Sequence, residues 1–222
     1  MTSRSRPWPR GRCLAGLLLL ALAALVVAPA ASGQDRPLPP GLAAGDLAYD
    51  TALVAAKANP AEANLRELRL AYTRTRKYAP HPSGYADQGP ALVDAMKAED
   101  WSIVLRLAQA ALEQNYVRMR PHFYAALALR HLGQRERSAH HRAFFNGLHR
   151  SIVEGSDGAT PATAYQVITI EEEYDVLAVR RLKREGHTMT RHEGRPIDVI
   201  TARGADGASI TLYFDVSLPW GR

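Results

Sequence analysis

The chain has 222 residues, and its formal charge of +6 falls to +2 once Arg4, Arg6, Arg10 and Arg12 are set aside. So small a balance argues against a nucleic-acid partner or an anionic membrane surface. The single cysteine, Cys13, lies in the same opening segment, so a chain trimmed of that segment holds no disulfide; at about 190 residues it is still long enough to bury an ordinary core.

Those four arginines form a basic start with no acid before Asp35, and residues 14–27 are almost entirely Leu, Ala and Val. Ala28-Pro29-Ala30 then places small residues where a signal peptidase reads them. The apolar run is short of the roughly twenty residues a bilayer span requires. Residues 1–30 therefore read as a cleavable signal peptide, cut near Ala30 or Gly33. The expected destination is the periplasm or the medium, with no stable membrane insertion after cleavage. Residues 31–45, rich in proline and glycine, read as a disordered leader.

Residues 46–155 carry a helical pattern. Asp46 can cap a helix over 46–57. Asn59-Pro60-Ala61-Glu62 has the composition of a second helix start, followed by Leu65, Leu68 and Tyr72 on one face. The stretch 80–84 reads as a loop, and a short helix follows over 92–97. Asp100 caps the clearest helix, in which Trp101, Val104, Leu105, Ala108, Ala111 and Leu112 form one apolar face. Pro121 opens the next, Gly133 stops it, and a last helix runs on to Gly155. Trp101 and the small residues Ala108, Ala125, Ala128 and Ala139 make this half resemble tetratricopeptide-type helical hairpins.

Residues 156–222 change period. A strand over 165–170 is followed by Thr169-Ile170-Glu171-Glu172, a capping box opening a short helix with Tyr174, Leu177, Ala178 and Leu182 on one face and Gly186 as its stop. Strands at 187–192, 197–202 and 209–217, joined at Glu193-Gly194 and Asp206-Gly207, predict antiparallel pairing. The expected fold class is α+β, tetratricopeptide-like hairpins followed by a small antiparallel sheet with one helix.

Ordered segments along residues 65–218 carry a second resemblance: Leu68-Arg69-Leu70-Ala71-Tyr72, Leu112-Glu113-Gln114-Asn115-Tyr116, Ser151-Ile152, Ser156-Asp157-Gly158, Ala164-Tyr165-Gln166-Val167-Ile168, Glu172-Glu173-Tyr174 and Leu212-Tyr213-Phe214-Asp215. Together they resemble a bacterial secreted family, domain of unknown function family 4919. The resemblance implies export and this architecture, and brings no activity with it.

Candidate chemistry is sparse. In Gly155-Ser156-Asp157-Gly158 two glycines permit positive φ and converging amides for an anion, and Asp157 can offer a carboxylate to a cation; the plainer reading is a helix stop and a tight turn. Glu171, Glu172, Glu173 and Asp175 can serve as an acid–base pair or hold a hard cation, with Glu172 or Glu173 beside Tyr174 favoured. Acids at a helix start also need no function. His122, His131, His140, His141 and His149 lack the spacing of a zinc site on one helix face, which leaves pairing across helices open. Arg180-Arg181-x-Lys183-Arg184 reads as a solvated helix end. No catalytic set, metal set or cofactor motif emerges. The preferred expectation is a non-catalytic module binding a protein or peptide partner in the envelope. The alternatives are a hydrolase or small-ligand site in a cleft built from Ser156, Asp157, Gly158, Glu172, Glu173 and Tyr174, and a purely structural component.

Overall fold

The structure is a computed structural model and describes residues 40–81 and 84–220. The signal segment 1–30, Cys13 and leader residues up to 39 lie outside the described residues. Helices come first: α1 (Pro40–Ala58), α2 (Leu65–Tyr72), α3 (Gly84–Lys97), α4 (Trp101–Gln114), α5 (Met119–His131) and α6 (Arg135–Val153). A single 3-10 turn at Pro161–Thr163 leads into β1 (Tyr165–Gln166), α7 (Ile170–Val179), β2 (Lys183–His192), β3 (Arg195–Arg203), β4 (Ser209–Asp215) and the short α8 (Ser217–Trp220). The class is α+β.

Helices α3, α4, α5 and α6 each pack on the next, while α1 packs on α2 and α2 on α6. Small residues set these approaches. Ala125 and Ala128 are fully buried, and a Cβ on Gly147 would stand 2.4 Å from Leu65 Cδ1, so α2 and α6 meet where α6 has no side chain. Trp101 stacks on His131 at 3.8 Å between ring centroids and ties the start of α4 to the end of α5. One apolar core joins helices to sheet: Leu68, Phe144, Leu148 and Ile152 lie with Val176, Ile200, Leu212 and Phe214. Truncating Phe144 to Ala is expected to cost about 3–5 kcal/mol. Leu92, Ala95, Val104 and Ala128 form a smaller second cluster.

The sheet order is β1-β4-β3-β2. Strands β2, β3 and β4 form the antiparallel meander, with Ile200 opposite both Leu212 and His187. The sheet as a whole is mixed, because β1 pairs parallel to β4, Tyr165 opposite Phe214. The expected strand over 165–170 is cut to two residues: Val167 N–H still reaches Asp215 O at 3.2 Å, and the chain then turns into α7. β2 is an edge strand, exposed throughout except at Gly186 and His192, which are half-buried. Gly186, expected as a helix stop, sits instead at a register shift within β2.

Several boundaries differ from expectation for local reasons. α1 starts at Pro40, so residues 40–45 of the expected leader are helical; a proline at a helix start gives up no bond. Asp46 does not cap α1; its Oδ1 accepts from the Arg76 amide at 3.0 Å. Asn64 caps α2 in place of Asn59, its Oδ1 accepting from Glu67 N–H at 3.0 Å. α3 begins at Gly84, eight residues before the expected start, with Pro90 inside it; a proline there removes one helical bond and masks the earlier turns. Asp100 caps α4 as expected, accepting from Ile103 N–H at 3.0 Å.

Candidate functional site

The sequence candidates fall into separate environments. Gly155 (φ +81) ends α6, and Gly158 (φ +66) lies under the Tyr165 ring, where an added Cβ would stand 2.3 Å from Cε2. Tyr165 OH donates to Asp157 O at 2.6 Å, and Gly158 N–H donates to Thr163 O at 2.9 Å. Gly158 O accepts from Tyr213 N–H at 2.9 Å, which pins the turn to β4. The Asp157 carboxylate is exposed and accepts from Ala159 N–H and the Thr163 hydroxyl, bonds that hold it below the usual carboxylate range. Of the amides that would converge on an anion, Ser156 N–H already donates to Val153 O at 3.3 Å and Gly158 N–H to Thr163 O. Ser156 is half-buried beside this turn.

The acids of α7 are engaged one by one. Arg69, 1% exposed, reaches out of α2, and its Nε stands 2.9 Å from Glu172 Oε1. Its Nη1 donates to Ser151 O and Oγ at 2.9 and 3.1 Å, and its Nη2 to Gln166 O. Glu172 Oε2 accepts from Ile168 N–H at 2.8 Å, so this acid reaches back past Thr169, whose own side chain makes no cap bond. Burial raises the Glu172 carboxyl and Arg69 opposes that rise. Glu171 takes a two-point contact from Arg118 at 2.9 and 3.1 Å. Asp175 Oδ1 lies 2.7 Å from Arg120 Nε, and burial still pushes its carboxyl up to about 7. The buried residues of α7 are therefore Glu172, Glu173, Asp175, Val176 and Leu177, while Tyr174 is 38% exposed with the Arg184 guanidinium 5.6 Å from its ring centroid. Of the expected face, Leu177 is buried and Leu182 packs against the core, whereas Tyr174 and Ala178 are exposed, because these ion pairs draw the acids of α7 inward as well.

Glu173 has a different partner. It is 1% exposed and faces Asp198 of β3, itself 2% exposed, and each acid has one buried oxygen without a hydrogen-bond donor. Burial, then the Asp198 charge, pushes the Glu173 carboxyl up to about 9. A proton carried by Glu173 and shared with Asp198 satisfies both. Asp198 Oδ2 also lies 3.1 Å from His187 Nε2, whose side chain is 40% exposed on β2. Among the described residues no group of three or more His, Cys, Asp or Glu is arranged to hold a metal ion.

Open space lies elsewhere. A cavity of about 600 Å³ opens among α1, α2, α4, α6 and the segments after α2 and α4. Tyr49, Leu53 and Lys57 approach from one face of α1, four residues apart. Tyr72 and Lys77 close one side, Gln109, Leu112, Glu113 and Gln114 of α4 another, and Tyr116 and His141 complete the wall. Burial raises all three phenols, Tyr49, Tyr72 and Tyr116, so each keeps its proton at neutral pH. Lys57 Nζ stands 4.3 Å over the Tyr116 ring. Behind this wall His122 and His141 meet across α5 and α6, Nδ1 to Nδ1, at 2.9 Å. In the sequence none of Tyr49, Lys57, Lys77, Arg69 and Asp198 stood out as a site residue, although Arg69 lies in one of the family-resembling segments. The spacing of 49, 53 and 57 was visible on one helix face, whereas the others carried no local signal.

The fold and this wall define a helices-then-sheet protein with a polar, tyrosine-lined cavity in its helical part and a buried ionic seam joining that part to the sheet. Residues 55–220 match the family described as domain of unknown function (DUF4919), and the chain belongs to that family. No curated protein and no solved structure matches it. The segments that resemble the family meet in space: Arg69, Ser151, Gln166 and Glu172 come from four of them and form the single Arg69 node.

Proposed function

We propose that the protein is exported and acts as a non-catalytic binding module. Its tetratricopeptide-like helices take a segment of a peptide or protein partner into the cavity walled by Tyr49, Lys57, Tyr116 and His141. The carrying observation is that polar side chains there face open space, whereas the acids of α7 are engaged inside the fold. The preference for a module over an enzyme rests on the cavity's chemistry: phenols held protonated, amides and balanced charges suit recognition. Selection of a displayed random-peptide library on the chain from residue 31 onward tests it. Enriched peptides are expected to lose binding to Lys57→Glu and Tyr116→Ala. Binding that survives both substitutions sinks the assignment to this cavity. Export is tested by fractionating cells and sizing the chain, since an untrimmed precursor in the cytosol contradicts it.

A second reading, a hydrolase or small-ligand site between helices and sheet, has one observation in its favour. His187 is held 3.1 Å from buried Asp198, with Glu173 behind it; such a line can orient an imidazole as a base. A panel of chromogenic ester and peptide substrates should then show turnover that Asp198→Asn abolishes.

A further inference from the structure

The buried histidine pair fixes what the cavity wall can accept. His122 is fully buried, and its Nε2 lies 2.9 Å from Tyr116 O. A carbonyl has no proton to give, so that nitrogen carries the N–H. In a neutral ring the other nitrogen, Nδ1, is then a bare acceptor. It meets His141 Nδ1 at 2.9 Å, so the proton in that bond belongs to His141. His141 is left with a lone pair on Nε2, to which no described residue donates, and His141 is part of the cavity wall.

Both rings are held neutral. Burial pushes His122 down to about 3, with the neighbouring His141, His140 and Lys57 adding to the effect despite the Tyr116 carbonyl. Burial, His140 and Arg137 push His141 down to about 4. Stacking of His122 on Phe144, 4.7 Å between centroids and 8° from parallel, locks the ring that sets the tautomer.

The remaining wall groups point the same way. Lys57 and Lys77 are balanced by Asp50 and Glu113, so the rim gives no net attraction to an ionic ligand. Gln109 and Gln114 each offer one amide donor group and one acceptor. We infer that the cavity recognises a neutral amide, an Asn or Gln side chain or a peptide-bond N–H, whose hydrogen is received by His141 Nε2 in the tautomer that His122 and the Tyr116 carbonyl impose. This rests on the binding reading above and names the chemistry that site selects.

Imidazole ¹⁵N spectra of the ligand-free folded chain test the tautomer with no variant. His141 is expected to show a protonated Nδ1 and a bare Nε2, with its titration midpoint near 4. His122→Phe, which keeps the stack on Phe144, removes the acceptor of the His141 Nδ1 proton, so the protonated-Nδ1 tautomer should lose its dominance while the low midpoint, set by burial, His140 and Arg137, is not raised. Three probes then test the ligand: acetamide, N,N-dimethylacetamide and acetate. Acetamide should shift the Nε2 resonance saturably, and the two probes without an N–H should leave it in place. A protonated Nε2, or equal responses to acetamide and acetate, overturns the inference while leaving the binding reading standing. The stated tautomer with no saturable shift at any cavity residue, from any probe, removes the binding reading and the amide assignment with it.

Discussion

The seam around α7 and the cavity beside α1 hold similar numbers of polar groups and use them in opposite ways. In the seam, Glu171, Glu172 and Asp175 meet Arg118, Arg69 and Arg120, and Glu173 meets Asp198, all within the protein. In the cavity, Lys57, Gln109, Glu113 and His141 face space that another molecule can fill. The acid run that stood out in the sequence is therefore a joint between helices and sheet. A group satisfied internally has little left to offer a ligand, which makes unsatisfied polarity beside open volume the better guide to a site.

The sharpest way to break this contrast is at Arg69. Arg69→Met leaves Glu172 buried without its counter-charge and should cost about 3–5 kcal/mol in urea unfolding. Pairing it with Glu172→Gln should restore a large part of that loss. A loss below about 1 kcal/mol for the single change would mean that the node is not structural.

Glu173 sharpens the contrast through pH. Its folded value, about 9, is above the 4.5 of the free side chain, so the folded state holds a proton that the unfolded chain releases. Its contribution is complete below 4.5 and is lost as pH rises toward 9. Glu173→Gln keeps a donor for Asp198 and does not titrate. It should flatten the fall in stability across that window and exceed the native protein at pH 8 by about 1–3 kcal/mol. An unchanged slope counts against the shared proton.

Gly158→Ala is the corresponding test of the Asp157 turn. Positive φ and the Tyr165 ring both oppose a side chain there, so a loss of about 1–3 kcal/mol is expected, read as a lower midpoint in thermal melting. The smallest effect belongs to the cavity. Lys57→Met removes only an exposed contact with the Tyr116 ring, worth about 0.5–1 kcal/mol. Its unfolding curve should nearly overlay the native one even though peptide binding changes. A large destabilisation would place Lys57 among the structural residues.

Much of the fold was legible because it rests on local signals. Asp100 followed by an apolar stripe marked α4, Gly133 and Gly155 marked helix ends at φ +75 and +81, and alternation marked β4. What depended on distant partners was hidden. Nothing near residue 69 says that an arginine there will be buried beside Glu172, and nothing near residue 170 says that Glu172, Glu173 and Asp175 will be drawn inward beside Leu177 while Tyr174 stays exposed. The parallel placement of β1 likewise depends on β4, about fifty residues later in the chain. The candidate site divided in the same way. Asp157 and Glu172 were visible as residue types, but their roles follow from Thr163 and Arg69, and the cavity is assembled from four helices and two connecting segments that share no motif.

Among the described residues no strand lies beside the outer side of β2, whose ten residues of backbone form a surface on which a second chain could template. Antiparallel self-pairing would lay the basic residues Lys183 and Arg184 of one copy alongside Arg191 of the other, and the register shift at Gly186 bends the rail they would share. Like charges and a kink are how open sheets discourage fibrils. Replacing those cations with apolar residues would turn a guarded border into an adhesive one.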